Sequence, residues 1–194
     1  MGTILAIDSS ILLFIQENFR HDFWTAIMKT ITLFGDYGGL FWILSALTLT
    51  IIKKTRKVGI CLTVAELFSG VFTNLIIKNL VNRTRPYEII DGLVPLGRIP
   101  TDSSFPSGHA SIAFAASIAL FLALPLIMNK KTAHRIGAAV IAFAVLISFS
   151  RLYLAVHFPT DVLAGMILGI IYGIAGAALG KLIINHLPER WFTK

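Results

Sequence analysis

The sequence predicts an all-α fold, a polytopic bundle of membrane helices with short interfacial helices at its N-terminus. Three observations predict it. First, 56% of the 194 residues are hydrophobic and only 14% are charged, where a soluble domain carries about a quarter charged residues. Second, five apolar segments are long enough to cross a bilayer, at about 20 residues per crossing. Third, the basic residues gather in short loops between those segments, as they do on the cytosolic side of membrane proteins.

The chain divides at about residue 36. Residues 1–36 hold two short, more polar segments, about 4–18 and 22–34. In the first, Ile4, Ile7, Ile11, Leu12 and Ile15 fall near one helical face, with Asp8 and Glu17 off it. Both segments are expected to lie in the interface as amphipathic helices. A six-span version requires the first to cross despite Asp8. No cleavable signal peptide is expected, because no basic stretch precedes the first apolar run. Residues 37–194 form the transmembrane domain, with spans near 37–53, 58–81, 107–128, 135–156 and 159–183.

Charge sets the predicted orientation. Lys53, Lys54, Arg56 and Lys57 share one short loop; Lys130, Lys131 and Arg135 share another; Lys181, Arg190 and Lys194 lie toward the C-terminus. These regions are expected in the cytosol, which puts the N-terminus outside and the C-terminus inside. This placement also argues against nucleic acid as the reason for the net charge of +7. Cys61, the single cysteine, excludes an intrachain disulfide and reads as a small buried hydrophobe.

Three polar clusters interrupt the apolar chain, and each falls at the predicted outer end of a span. They are Lys78 with Arg85-Pro86, then Pro106-Ser107-Gly108-His109, then Ser150-Arg151 with His157 and Asp161. Together they supply three fixed cations, two imidazoles, a carboxylate and a Ser-Gly helix start. Metal-free phosphoryl transfer uses such a set: cations hold phosphate oxygens, one imidazole attacks phosphorus, and another protonates the leaving oxygen. Lys78, Arg85 and Arg151 are the candidate phosphate cations. Ser107 and Gly108 open a helix whose free amides suit an anion. Asp161, four residues after His157, is placed to orient it. No carboxylate cluster suggests a divalent metal, and no cofactor is expected.

Other polar residues read more plainly. Arg83 is a spare cation that either touches substrate or meets lipid headgroups. Glu66, mid-span, reads as protonated or hydrogen-bonded inside the bundle. Gly165, Gly169 and Gly173, then Gly176 and Gly180, read as close helix packing. Residues 82–106 form the longest polar connection and are the expected headgroup-reading element.

The three motifs resemble those of the type 2 phosphatidic acid phosphatase superfamily, the lipid phosphate phosphatases, over roughly residues 60–180. Soluble acid phosphatases and vanadium haloperoxidases share the signature, so the apolar composition is what points to a lipid. The resemblance implies a phosphohistidine mechanism with His157 as nucleophile and His109 as leaving-group acid. It implies a lipid phosphate or pyrophosphate substrate, with undecaprenyl pyrophosphate favoured and phosphatidylglycerol phosphate or phosphatidic acid as alternatives. A lipid-phosphate flippase is the competing class, and it has no use for two histidines and an aspartate in register.

Overall fold

The computed structural model describes residues 2–192. Among them every regular element is helical: α1 (Thr3–Phe19), α2 (Asp22–Thr32), α3 (Asp36–Ile51), α4 (Arg56–Phe68), α5 (Lys78–Val81), α6 (Pro86–Ile89), α7 (Gly108–Ala123), α8 (Lys130–Tyr153) and α9 (Pro159–His186). A π-helical stretch, Ser69–Ile77, joins α4 to α5.

Four helical runs are long and apolar enough to cross a membrane: Arg56–Ile89, Gly108–Leu126, Lys130–Tyr153 and Pro159–His186. A fifth span exists if Asp22–Gly35 and Gly39–Ile51, bent by 49°, cross together. The first expected span, 37–53, corresponds to the second limb of this pair. Its helix, α3, has only 16 residues, and the segment at 22–34, expected in the interface, forms the other limb of the bent pair. The break falls where Tyr37 and Gly39 take positive φ, 53° and 81°. Helix α8 also starts earlier than expected, because the Asn129 side chain accepts from Thr132 N at 3.0 Å and caps it. Lys130, Lys131 and Arg135 thus occupy its first turns.

The surface between the helix ends is apolar. Leu44, Leu75, Ile167, Ile171 and Ile174 are all exposed, which suits a lipid surround. Helix α7 is the centre of the bundle and packs against α9, α8, α4 and α3. Its interior face is built from small side chains, among them Ala110, Ala113, Ala116 and Ala119, all fully buried. Small residues let helix backbones approach, which is how helices pack without a hydrophobic gradient between them. The glycines of α9 complete this contact. A Cβ on Gly169 would lie 2.5 Å from Ser111 O on α7, and one on Gly176 would lie 2.5 Å from the Ala65 backbone on α4.

The N-terminal helix holds the opposite end of the site in place. Leu12 is buried with Ile90, Leu93, Ala155 and Phe158, while Ile4, Ile7 and Phe14 point outward. Gln16 Nε2 donates to Gly92 O at 2.8 Å, and Arg20 Nη1 donates to Val94 O at 2.6 Å. The Leu96 amide donates to Leu154 O at 3.0 Å. The long connection is thus fastened to α1 and to the α8–α9 turn.

Candidate active site

The three motifs meet at one end of the bundle, around a cavity of about 250 Å³. Lys78, Arg85, His109, Arg151 and His157 all line it. Ser107 N donates to Asp161 O at 3.0 Å and Ser104 N donates to Arg83 O at 2.9 Å, so backbone bonds tie the motif segments to one another.

Lys78 reaches this cavity because of the π-helical stretch. A π-helix has about 4.4 residues per turn, so residues nine apart fall on one face after about two turns. Ser69 and Lys78 have that spacing, with Thr73 between them, and all three are buried. Ser69 Oγ and Thr73 Oγ1 each lie 2.8 Å from Ser111 Oγ on α7. Lys78 at the end of the same face is directed to the site. Asn82, left-handed at φ 45°, then ends the helix and turns the chain toward Arg85.

Arg85 is 2% exposed and heavily bonded. Its Nη1 donates to Val156 O at 2.6 Å and lies 3.4 Å from His157 Nε2. Its Nε donates to Asp102 O at 2.9 Å and its Nη2 to Asp102 Oδ1 at 2.6 Å. The other Asp102 oxygen pairs with Lys78. One carboxylate therefore bridges two candidate phosphate cations. Burial alone would raise the Asp102 carboxyl, but Lys78 and Arg85 outweigh it and hold it at about 2. Arg151 Nη1 bonds Thr32 Oγ1, and its buried Nε has no hydrogen-bond partner among the described residues.

His157 sits in the turn between α8 and α9, fixed by the Pro159 helix start. It is 2% exposed. Burial pulls its pKa down to about 3, with Asp161 opposing and Arg85 and Arg151 adding to the fall. Burial therefore favours the neutral form of the ring. Its Nδ1 lies 3.6 Å from Asp161 Oδ2, beyond hydrogen-bond length, so the two are aligned but not bonded. Asp161 spends its oxygens elsewhere: Oδ2 accepts from Ser104 Oγ at 2.5 Å and from Phe158 N at 2.9 Å, and Oδ1 accepts from Arg83 at 2.5 Å.

Arg83 has internal partners beyond Asp161, and its side chain is 25% exposed. It also bonds Asp8 Oδ2 at 3.0 Å and Thr160 Oγ1 at 2.8 Å, and its guanidinium lies 4.0 Å from the Phe158 ring centroid. Two carboxylates and an aromatic face hold it inside the protein. Asp8 itself is 1% exposed and also accepts from Thr160 N and Oγ1.

His109 stands one residue into α7. Ser107 caps that helix, its Oγ accepting from Ala110 N at 3.5 Å. Gly108 lets the helix start pass Asn74, since a Cβ there would sit 2.7 Å from Asn74 Oδ1. His109 Nε2 lies 2.9 Å from Asp36 Oδ1. Sequence reasoning missed Asp8, Thr32, Asp36 and Asp102. Each is a lone polar residue with no motif spacing to mark it, and only the fold brings it to the site. Among the described residues no group of three or more His, Cys, Asp or Glu could hold a metal ion.

The fold and this site define a multi-pass membrane protein with two histidines and three buried cations around one anion-sized cavity. The chain belongs to the PAP2 superfamily, whose family model matches residues 57–182. It is 38% identical over 128 residues to the undecaprenyl-diphosphatase of Sulfolobus acidocaldarius, covering 66% of this chain and 58% of that protein. It is 41% identical over 102 residues to phosphatidylglycerophosphatase B of Bacillus subtilis, covering 50% of this chain and 46% of that one. The chain spans about half the length of the curated relatives it matches. The crystal structure of a transmembrane PAP2 type phosphatidylglycerolphosphate phosphatase from Bacillus subtilis superposes with a TM-score of 0.73 at 26% identity, covering 94% of this chain and 89% of that one.

Proposed function

We propose that this protein is a membrane lipid phosphatase that works through a phosphohistidine. The observation that carries the reading is the shared cavity: His157 and His109 both line it, with Lys78, Arg85 and Arg151 around them. His157 Nε2 attacks phosphorus as the bond to the leaving oxygen breaks, and His109 gives that oxygen a proton. His109 then takes a proton from water, the water oxygen bonds phosphorus, and the bond to His157 breaks to release phosphate. Lys78, Arg151 and the amides at Ser107-Gly108 stabilise charge on the phosphoryl oxygens.

A lipid substrate is supported by a second, apolar cavity of about 630 Å³ between α3 and the α4–π helix. Leu47, Leu67, Val71 and Leu75 line it, and it shares Asn74 and Ile112 with the catalytic cavity. A lipid tail would lie there with its phosphate among the cations. Glu66 borders the same groove with a buried Oε1 that has no hydrogen-bond partner among the described residues.

Undecaprenyl pyrophosphate is the preferred candidate, supported by the 38% identity to an undecaprenyl-diphosphatase. Phosphatidylglycerol phosphate is the alternative. Purified protein in detergent, given a panel of lipid phosphates and pyrophosphates, should release phosphate fastest from the prenyl diphosphate. Release from none of them sinks the phosphatase reading. The basic loops argue for a site at the outer face. Cysteines placed at Asp91 and at Lys54, after replacing Cys61, test this with an impermeant maleimide: labelling of the second but not the first in intact cells reverses the orientation.

A further inference from the structure

The corner between α2 and α3 forms a wall of the site that lies outside residues 57–182, the part matched by the family model. Three residues there, Thr32, Gly35 and Asp36, each meet a motif residue. Thr32 Oγ1 accepts from Arg151. Gly35 lies flat against the His109 ring, because a Cβ at this position would stand 2.3 Å from His109 Cδ2. Asp36 Oδ1 lies 2.9 Å from His109 Nε2. Any side chain at 35 would displace the ring from Asp36, so the glycine and the carboxylate work as one device.

We propose that Asp36 is the positioning residue of the leaving-group acid, so that the site holds a second His–carboxylate pair beside that of His157 and Asp161. The inference rests on the phosphatase reading above. Both rings need an acidic neighbour for different reasons. His157 must be neutral to attack, and its carboxylate stands off at 3.6 Å. His109 must carry a proton among cations, and its carboxylate sits at full hydrogen-bond distance. Lys78 and Arg151 line the same cavity as this ring, and Asp36 is the anion bonded to it. A carboxylate on one imidazole nitrogen favours the form protonated at both. Asp36 takes Nε2–H, so the proton for the leaving oxygen is carried at Nδ1. In the first step the P–O bond breaks, the Nδ1 proton moves to the departing oxygen, and the ring is left neutral with Nε2–H still on Asp36. In the second step the neutral Nδ1 takes a proton from the attacking water, which restores the starting pair.

The role has a signature that structural damage lacks. An acidic leaving group departs without a proton, so loss of acid catalysis spares it. The test uses the full chain in detergent, with a long-chain alkyl phosphate and an alkyl-nitrophenyl phosphate of the same tail. First-turnover release of the nitrophenolate reads P–O cleavage alone, before water enters. Asp36→Asn should slow cleavage of the alkyl phosphate about 100-fold or more, and first-turnover nitrophenolate release by less than about tenfold. Asp36→Glu, which keeps the carboxylate, should regain part of the alkyl phosphate rate. Undiminished alkyl phosphate cleavage in Asp36→Asn overturns the proposal. So does equal slowing on both esters in Asp36→Asn and Asp36→Glu alike. Failure of the unmodified protein to cleave either ester instead removes the phosphatase reading on which the proposal stands.

Discussion

Arg83 Nη1 lies 2.5 Å from Asp161 Oδ1, on the carboxylate oxygen opposite the one that faces His157. The cation therefore fixes the plane of Asp161 without standing between it and the ring. Asp8, 75 residues away in sequence, holds the other side of Arg83 at 3.0 Å. A chain of alternating charge runs from the N-terminal helix to the candidate nucleophile.

That chain should behave as one unit. Arg83→Gln leaves two buried carboxylates without their cation, and breaking a buried pair in this way costs about 3–5 kcal/mol. Turnover should fall up to about 100-fold as Asp161 loses its orientation. Asp8→Asn should lower both quantities less, because Thr160 still bonds position 8. A double-mutant cycle read by thermal unfolding in detergent should give a coupling above about 0.5 kcal/mol. Strict additivity of Asp8→Asn and Arg83→Gln would show that α1 is merely packed nearby.

Asp102 gives a prediction of opposite sign, a gain in binding. Its two oxygens occupy Lys78 and Arg85, so an incoming phosphate competes with the protein's own carboxylate. Asp102→Asn should strengthen inhibition by inorganic phosphate or vanadate about tenfold, equivalent to ~1.4 kcal/mol. With its pKa held at about 2, the unmodified carboxyl is ionised from pH 4 to 8, and the difference between the two proteins should be constant over that range. The linkage to folding follows the same sign. The lowered pKa contributes stability above the unfolded value of about 3.9 and loses it as pH falls toward 2. The contribution is small, because the side chain is 56% exposed. Weaker or unchanged inhibition in Asp102→Asn would mean that phosphate binds without displacing it.

Carboxylates such as Asp102 also mark the limit of what the sequence makes legible. The spans can be read because bilayer thickness imposes a length on apolar segments. The motif residues Lys78, Arg85, His109, Arg151, His157 and Asp161 can be read because their types and spacings match one chemistry. The structure brings five of these six to one cavity, with Asp161 behind His157. Asp8, Asp36 and Asp102 carry no such spacing. Their roles depend on which helix end faces which, and on a 49° bend between α2 and α3 that no periodicity announces. The π-helical register that aims Lys78 is hidden for a similar reason: it follows from the packing of Ser69 and Thr73 on Ser111, a contact between two distant segments.

The glycines of α9 provide a test of the packing itself. At Gly169 the neighbours of an added Cβ are Ser111 O at 2.5 Å and Phe114 Cβ at 2.7 Å, both close to a backbone that cannot move alone. Gly169→Ala should destabilise the bundle by about 1–3 kcal/mol through overpacking. Gly70, with nothing within 4 Å of its added Cβ, is the control. Gly70→Ala should leave thermal unfolding unchanged or slightly raise it. Equal effects at the two positions would mean that α7 and α9 do not pack as closely as described.

The two histidines should separate by chemistry and by pH. His157→Ala should abolish phosphate release from every substrate, because no phosphoenzyme can form. His109→Ala should leave first-turnover cleavage of an activated aryl ester largely intact while the lipid phosphate loses about 10²–10⁴-fold. Burial lowers His157 to about 3, so its ring stays neutral well below the ordinary histidine value of about 6.5. The sign for folding is set by the same shift. Between about 6.5 and 3 the unfolded chain binds a proton at His157 that the folded protein refuses, so this residue makes the protein less stable as pH falls through that window. Nucleophilic competence and stability should therefore part company in mild acid. Rapid-quench trapping of the phosphohistidine, with an aryl ester whose departure needs no acid, should show phosphoenzyme formation at pH 5 at nearly its pH 7 rate. Thermal unfolding over the same range should show a fall that is smaller in His157→Ala. Collapse of the trapping rate with a midpoint near 6.5, or phosphate trapped on His109, would overturn the assignment of His157 as a buried, neutral nucleophile.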